Sequence, residues 1–324
     1  METPMNILVV GGAGYIGTTS SQYLIDKGHN VFVVDNLSTG KESAIPAGVK
    51  YIICDMAAPE VEQFVNENNI DAVLLTAGYI QVGESVQDPQ KYYENNIVKT
   101  IALLRTLMKC NVKKVVFSSS CAVNGAPETM PIHEGTKIAP INPYGYAKAV
   151  VEQILADYHK AYDLDYTILR YFNASGAHAG YGENHDPETH LIPNILRTIQ
   201  GHQPHLEMYG DDYPTKDGTA VRDYIHVRDL AEGHRIALTT KTPSHIYCLG
   251  TGNGYSLREI IDTCEKVTGE KIPVVVRARR AGDPPVLHAD SSLAQSELGW
   301  TAQHSSIENI IRDAWEHHRK QEEI

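Results

Sequence analysis

The sequence predicts an α/β protein built on a doubly wound parallel sheet, with a smaller α/β lobe attached. Two observations carry this. In the first half, near-continuous runs of Val, Ile and Leu alternate with segments of helical spacing, the pattern of strands covered on both faces by crossover helices. After about residue 174 the chain turns to long Gly-, Pro- and Asp-rich loops and shorter helices, and loops of that length carry function more often than bulk stability. The expected division is residues 1–174 and 175–324, with some later segments packing back onto the first body. A length of 324 residues suits two lobes better than one core.

Each element follows in order. "NILVV" (6–10) is the first strand, and the helix at 15–27 follows it. Between them Gly11, Gly14 and Gly17 have G-x-x-G-x-x-G spacing. Such glycines allow a tight turn and let a pyrophosphate approach the helix N-terminus, which makes the sheet Rossmann-type. "NVFVVD" (30–35) is the second strand and ends in Asp35, about twenty residues past the glycines. An acidic side chain there accepts from adenine-ribose hydroxyls and repels a 2′-phosphate, so NAD is favoured over NADP. Strands at 50–54, 71–76, 113–120 and 166–172 complete the first body, with helices at 60–68, 90–110 and 144–162. Beyond it, helices are expected at 228–239, 256–268, 291–298 and 306–319.

Bulk properties narrow the function classes. A net charge of −12 argues against nonspecific nucleic-acid or anionic-membrane binding. Cys54, Cys110, Cys121, Cys248 and Cys264 form no Cys-x-x-Cys pair, as expected of unpaired thiols in a reducing cytoplasm. No apolar stretch reaches membrane-spanning length, and the first residues lack a basic start and cleavage site. A cytoplasmic protein is expected.

The chemistry points to one helix. In "NPYGYAK", Tyr144 and Lys148 stand four apart and share a helix face, whereas Tyr146 points away. Ser118, Ser119 and Ser120 end the fifth strand, and ligands of such sheets lie beyond the carboxyl ends of strands. A free tyrosine is only about one part in a thousand ionised at pH 7. Lys148 and a positive nicotinamide ring both favour the phenolate, making Tyr144 a workable base for a sugar hydroxyl with Ser120 as hydrogen-bond partner.

With these motifs in place the chain resembles the extended short-chain dehydrogenase/reductases, and within them the UDP-galactose 4-epimerases. The resemblance runs through "GGAGYIG", "VVDNLSTG", "FSSS", "NPYGYAK", "LRYFNASGAH", "DPETHLIP" and "LGTGNGYS", and most specifically through "YGDDYPTKDGTAVRDYIHV". It implies reversible oxidation at C4 of a UDP-hexose with bound NAD, in a homodimer. By position it implies that Tyr144, Lys148 and Ser120 are the base, its partner and the hydroxyl-binding serine. Tyr15, Ile16, Asn36, Asp55, Met56, Ala77, Gly78, Asn95, Ser118 and Tyr171 join the three glycines and Asp35 at NAD. Asn173, Leu191, Tyr209, Arg222, Tyr224, Arg280, Asp283 and Leu287 fall on the UDP-sugar side, the arginines suiting a diphosphate. The expected dimer face comprises helices 90–110 and 144–162, with Ile101, Leu104, Leu107 and Met108 as its surplus apolar positions.

There are departures. Ile80 stands where the family often has a lysine, which weakens the expected grip on NAD. Ala122 and Asn124 replace a threonine and a tyrosine, and His190 replaces an asparagine. A sugar-nucleotide 4,6-dehydratase would carry an Asp-Glu pair after the strand-end residue, but Cys121 and Ala122 stand there. NAD-sensing proteins without catalysis commonly lose the tyrosine or lysine, and both are present. His185, Asp186, Glu188 and His190 have irregular spacing, so no metal site is expected of them.

Overall fold

The computed structural model describes residues 3–185, 187–243, 245–280 and 283–322. Six parallel strands form in chain order: β1 (Asn6–Val10), β2 (Asn30–Asp35), β3 (Lys50–Ile53), β4 (Ala72–Leu75), β5 (Lys114–Ser120) and β6 (Asp165–Tyr171). Each begins and ends within a residue or two of its expected bounds. Their order across the sheet is 3-2-1-4-5-6, so the chain reverses direction between β1 and β4. That reversal opens a crevice beyond the carboxyl ends of the strands, where such sheets take their ligands.

Helices cover both faces: α1 (Tyr15–Asp26), α2 (Glu60–Glu67), α3 (Val82–Gln87), α4 (Pro89–Tyr93), α5 (Lys99–Lys109) and α6 (Pro143–Tyr162). One apolar cluster, with Leu103, Leu104, Leu107, Val151 and Leu155, fills the α2–α5–α6 side, and a second, with Leu24, Leu230 and Trp300, fills the other. The expected helix 90–110 is instead two helices joined by a π turn at Glu94–Val98. The period reads as continuous because one extra residue per turn barely disturbs it, and such turns gather at functional sites.

Three later elements continue the chain: α7 (Leu191–Ile199), α8 (Val227–Thr239) and a strand at Ile246–Leu249. The strand pairs in parallel with β6, making seven strands, and α8 packs on α1. Short strands at Asn173–Ser175, Val221–His226, Gly254–Ser256 and Val286–Leu287 form a second sheet. Helices Leu257–Thr268 and Ile307–Glu322 enclose a third apolar cluster with α7.

Two of the apolar positions expected on a dimer face are needed elsewhere. Leu104 and Leu107 are fully buried in this chain's own core. Exposed apolar side chains on or near these helices include Val82, Val86, Tyr93, Val98, Ile141, Tyr146 and Tyr162.

Candidate active site

A cavity of about 400 Å³ opens where β1 meets β4. Gly11, Gly14, Tyr15, Ile16, Gly17, Asp35, Asn36, Asp55, Met56, Ala77, Gly78, Asn95, Tyr171, Ser120, Tyr144, Lys148 and Asn173 all line it. The glycine turn is a cradle that no side chain could share. A Cβ on Gly17 would stand 2.0 Å from the Gly11 carbonyl oxygen, and one on Gly11, at φ +89°, 2.6 Å from Ala77 N. No side chain caps α1 at Gly14, so its first-turn amides can receive an anion.

Asp35 takes the Ala13 amide on one oxygen at 2.9 Å and the Leu37 amide on the other at 2.8 Å. A carboxylate keeps further lone pairs for two ribose hydroxyls. Burial raises the Asp55 carboxyl, but Lys99 at 2.6 Å and the Ala57 amide outweigh it and hold it low. Asn95 donates to Asn96, whose side chain accepts from Tyr79 N and donates to Tyr79 O. The π turn thus fixes the Gly78–Tyr79 segment. Asn96 is absent from the sequence reading because a buried amide beside a loop has no motif of its own.

Tyr144 and Lys148 share the inward face of α6. The lysine Nζ lies 5.9 Å from the centre of the Tyr144 ring and donates to Ser118 O at 2.7 Å. Tyr146 lies outside, half exposed and packed edge-on to Tyr93. Burial pushes the Tyr144 phenol up to about 12, opposed by a hydrogen bond with Ser120. Burial also pushes Lys148 down to about 8, opposed by the Glu152 carboxylate.

Alternation along β5 turns Ser119 to one face and Ser118 and Ser120 to the other, with Ser120 at the strand's end. Ser120 reaches the cavity. Ser119 donates to Glu152 at 2.5 Å, and Glu152 is held by Arg170 in a fully buried pair. Ser118, expected at the cofactor, is buried behind the wall with its hydroxyl beside His234.

Most of the expected sugar-side residues form a neighbouring group outside that cavity's lining. Arg222 donates to Asp283 at 2.5 Å, and the Arg280 guanidinium lies 4.2 Å from the centre of the Tyr209 ring. Leu287 pairs in register with Arg222 and packs near Phe172 and Ala289. Tyr224 is buried, and both Arg222 and Asp283 act on its phenol. Burial pushes the Cys121 thiol, next to Ser120, up to about 12, and the positive charge of Arg222 works against it. Leu191 opens α7 beside His190, which lines the cavity.

His190 Nδ1 lies 2.6 Å from Glu183 and 2.9 Å from Glu188, with His185 3.1 Å from Glu183. Burial works against both charges of the first pair, but their attraction prevails. His190 is raised to about 10, and Glu183 falls to about 2 with His190 as its chief partner. Ligand atoms of these four residues lie within 4.8 Å of one another, while Asp186 is outside the described residues. The sequence reading did not include Glu183, five positions before Glu188 across a loop. Lys91 was also missed. It lines the cavity near Ile80, lies over the Tyr79 ring at 4.4 Å and pairs with Glu84 at 2.6 Å.

Residues 7–250 match the model of the NAD dependent epimerase/dehydratase family. The chain belongs to that family. Within it, the chain is 45% identical to the UDP-glucose 4-epimerase of Lactobacillus helveticus, over 97% of this chain and 97% of that protein. Among solved structures, UDP-glucose 4-epimerase from Brucella ovis in complex with NAD is 46% identical, with a TM-score of 0.92 over 97% of this chain and 98% of that one. The enzyme from Bifidobacterium longum in complex with NAD+ and UDP is 41% identical, with a TM-score of 0.91 over 98% and 99%. The backbone that carries the glycine turn and the Tyr144–Lys148 pair therefore matches that of these solved structures.

Proposed function

We propose that this chain is an NAD-dependent UDP-glucose 4-epimerase, interconverting UDP-glucose and UDP-galactose through a 4-keto sugar. One observation carries it: Tyr144, Ser120 and Lys148 meet in the same cavity as the glycine cradle and Asp35. A sugar C4 hydroxyl placed there meets a proton acceptor beside a dinucleotide site. NAD, when bound, supplies the hydride acceptor and a positive ring beside the phenol.

Tyr144 takes the proton from the C4 hydroxyl, and Ser120 orients that hydroxyl. Lys148 adds positive charge that stabilises the phenolate. This help is needed, since a phenol at about 12 is ionised in only about one part in 10⁵ at pH 7. Arg222 and Arg280 hold the diphosphate, and Asp283 accepts from the uridine ribose. Holding UDP while the sugar turns allows the proton to return with hydrogen on the opposite face. Residues 1–174 bind the cofactor and 175–324 the UDP-sugar, with α8 and the strand at Ile246–Leu249 packed back onto the first body.

The protein works in the cytoplasm as a homodimer, and the apolar surface of α3–α6 supports that pairing. Among the described residues no helix is long and apolar enough to cross a membrane. The proton and hydride transfers proposed here call on no metal, and a chelator should leave the rate unchanged. Incubation with UDP-glucose or UDP-galactose, with and without added NAD, followed by product separation, tests the whole reading. A folded, NAD-loaded protein that converts neither sugar overturns it.

A further inference from the structure

His234 stands on α8, fully buried and outside the cavity lining. Its two ring nitrogens meet hydroxyls from two different layers. Nδ1 lies 3.0 Å from Ser20 Oγ on α1, the helix that receives the pyrophosphate, and Nε2 lies 3.1 Å from Ser118 Oγ on β5. Ser118 in turn seats Lys148 on its carbonyl, and the ring of Tyr171, a cavity wall residue, packs edge-on to the His234 ring at 6.2 Å between centres. Ser20, His234 and Ser118 thus form one line of hydrogen bonds running behind the catalytic face.

Burial alone pushes His234 down to about 3, so the ring is neutral and carries one N–H. A neutral imidazole donates from one nitrogen and accepts at the other, which gives the line a direction. With the proton on Nε2, the ring donates to Ser118 and accepts from Ser20. With it on Nδ1, the ring donates to Ser20 and accepts from Ser118. An apolar side chain would fill the same space but leave two buried hydroxyls without partners.

We infer that His234 is a positioning residue of the reaction. From behind the cavity wall it fixes the Ser118 end of β5, and with it the seat of Lys148. This rests on the proposed roles of Tyr144 and Lys148.

The two nitrogens can be tested separately in the full chain with saturating NAD. A Gln amide reaches the place of Nε2 and an Asn amide that of Nδ1. His234→Asn should lose about tenfold in kcat with KM little changed, and its pH–rate limb should move to higher pH, because the bond to Ser118 is gone. His234→Gln should keep kcat within about threefold and retain the unmodified limb. Ser118→Ala removes the same bond from the other side, so the pair His234→Asn/Ser118→Ala should be no worse than either single change. Melting temperatures separate packing from positioning, since both His variants should melt alike while their kcat values differ. Equal kcat and pH profiles in the Gln and Asn variants, or additive losses in the double variant, overturn the inference. If neither His variant folds, Ser118→Ala decides alone: an unmoved pH–rate limb there overturns it. Turnover by the unmodified protein is the control, because its absence strikes the function reading rather than the role of His234.

Discussion

Lys148 holds its ammonium 5.9 Å from the centre of the Tyr144 ring, one turn of α6 away, while Tyr146 between them in sequence packs against Tyr93 outside. Helix geometry therefore selects one tyrosine for the chemistry. Tyr144→Phe should lower kcat by about 10²–10⁴-fold, the usual worth of a positioned proton acceptor, and leave NAD binding intact. Tyr146→Phe should stay within about twofold, as expected for a surface change. Steady-state rates and NAD titration check both, and similar losses from the two changes would refute the assignment.

The electrostatic role of Lys148 has its own signature. Burial, aided by Cys121 and opposed by Ser120, carries the Tyr144 phenol up to about 12, and Lys148 is the cation beside it. Lys148→Met should cut kcat at pH 7, and the residual rate should keep climbing with pH beyond the point where the unmodified enzyme levels off. A variant whose pH–rate profile keeps the unmodified shape would show that the lysine acts only on binding.

Cofactor retention depends on a side chain that is apolar here. Ile80 lines the cavity, and the nearby Lys91 is paired with Glu84 at 2.6 Å. Purified protein should be partly empty of NAD and stimulated by adding it, and Ile80→Lys should raise retention. Absorbance ratios before and after dialysis measure this. Full occupancy with no stimulation would count against it.

The sheet and the catalytic pair were legible in the sequence because both rest on local periodicity. Runs of Val, Ile and Leu mark strands, glycine spacing marks the turn, and a four-residue offset marks a helix face. The strand at Ile246–Leu249, Asn96, His234 and the Glu183–His190 pair were not legible, since each acquires its role from a partner distant in sequence. Ser118 shows the same limit. Three consecutive serines read alike; alternation turns Ser119 to the opposite face, and only its place at the end of the strand brings Ser120, rather than Ser118, to the cavity.

The Glu183–His190 pair should make stability depend on pH. Folding raises His190 from 6.5 to about 10, so its contribution is complete below 6.5 and fades as pH rises through 10. Glu183 falls from 4.5 to about 2, so its contribution is complete above 4.5 and is lost as pH falls through 2. The pair is therefore fully effective between 4.5 and 6.5. His190 is 39% exposed in its side chain, so screening makes the effect modest. His190→Gln should lower Tm by about 2–4 °C near pH 5.5 and by less near pH 10. A Tm difference that does not change with pH would exclude the ion pair.

Sugar size is the last expectation. Leu287 pairs with Arg222 in the second sheet and packs near Phe172 and Ala289, at the position the family resemblance assigns beside the 2-substituent of the sugar. Leucine leaves more room than tyrosine but brings no polar atom. A buried acetamido group without a partner costs about 1–3 kcal/mol, or roughly five- to 150-fold in kcat/KM. UDP-glucose and UDP-galactose should therefore be preferred, with N-acetyl substrates turned over weakly. Leu287→Tyr should remove that weak activity by filling the space and spare the main one. Competition assays with both substrate pairs measure the ratio, and equal kcat/KM values in the unmodified protein would overturn this expectation.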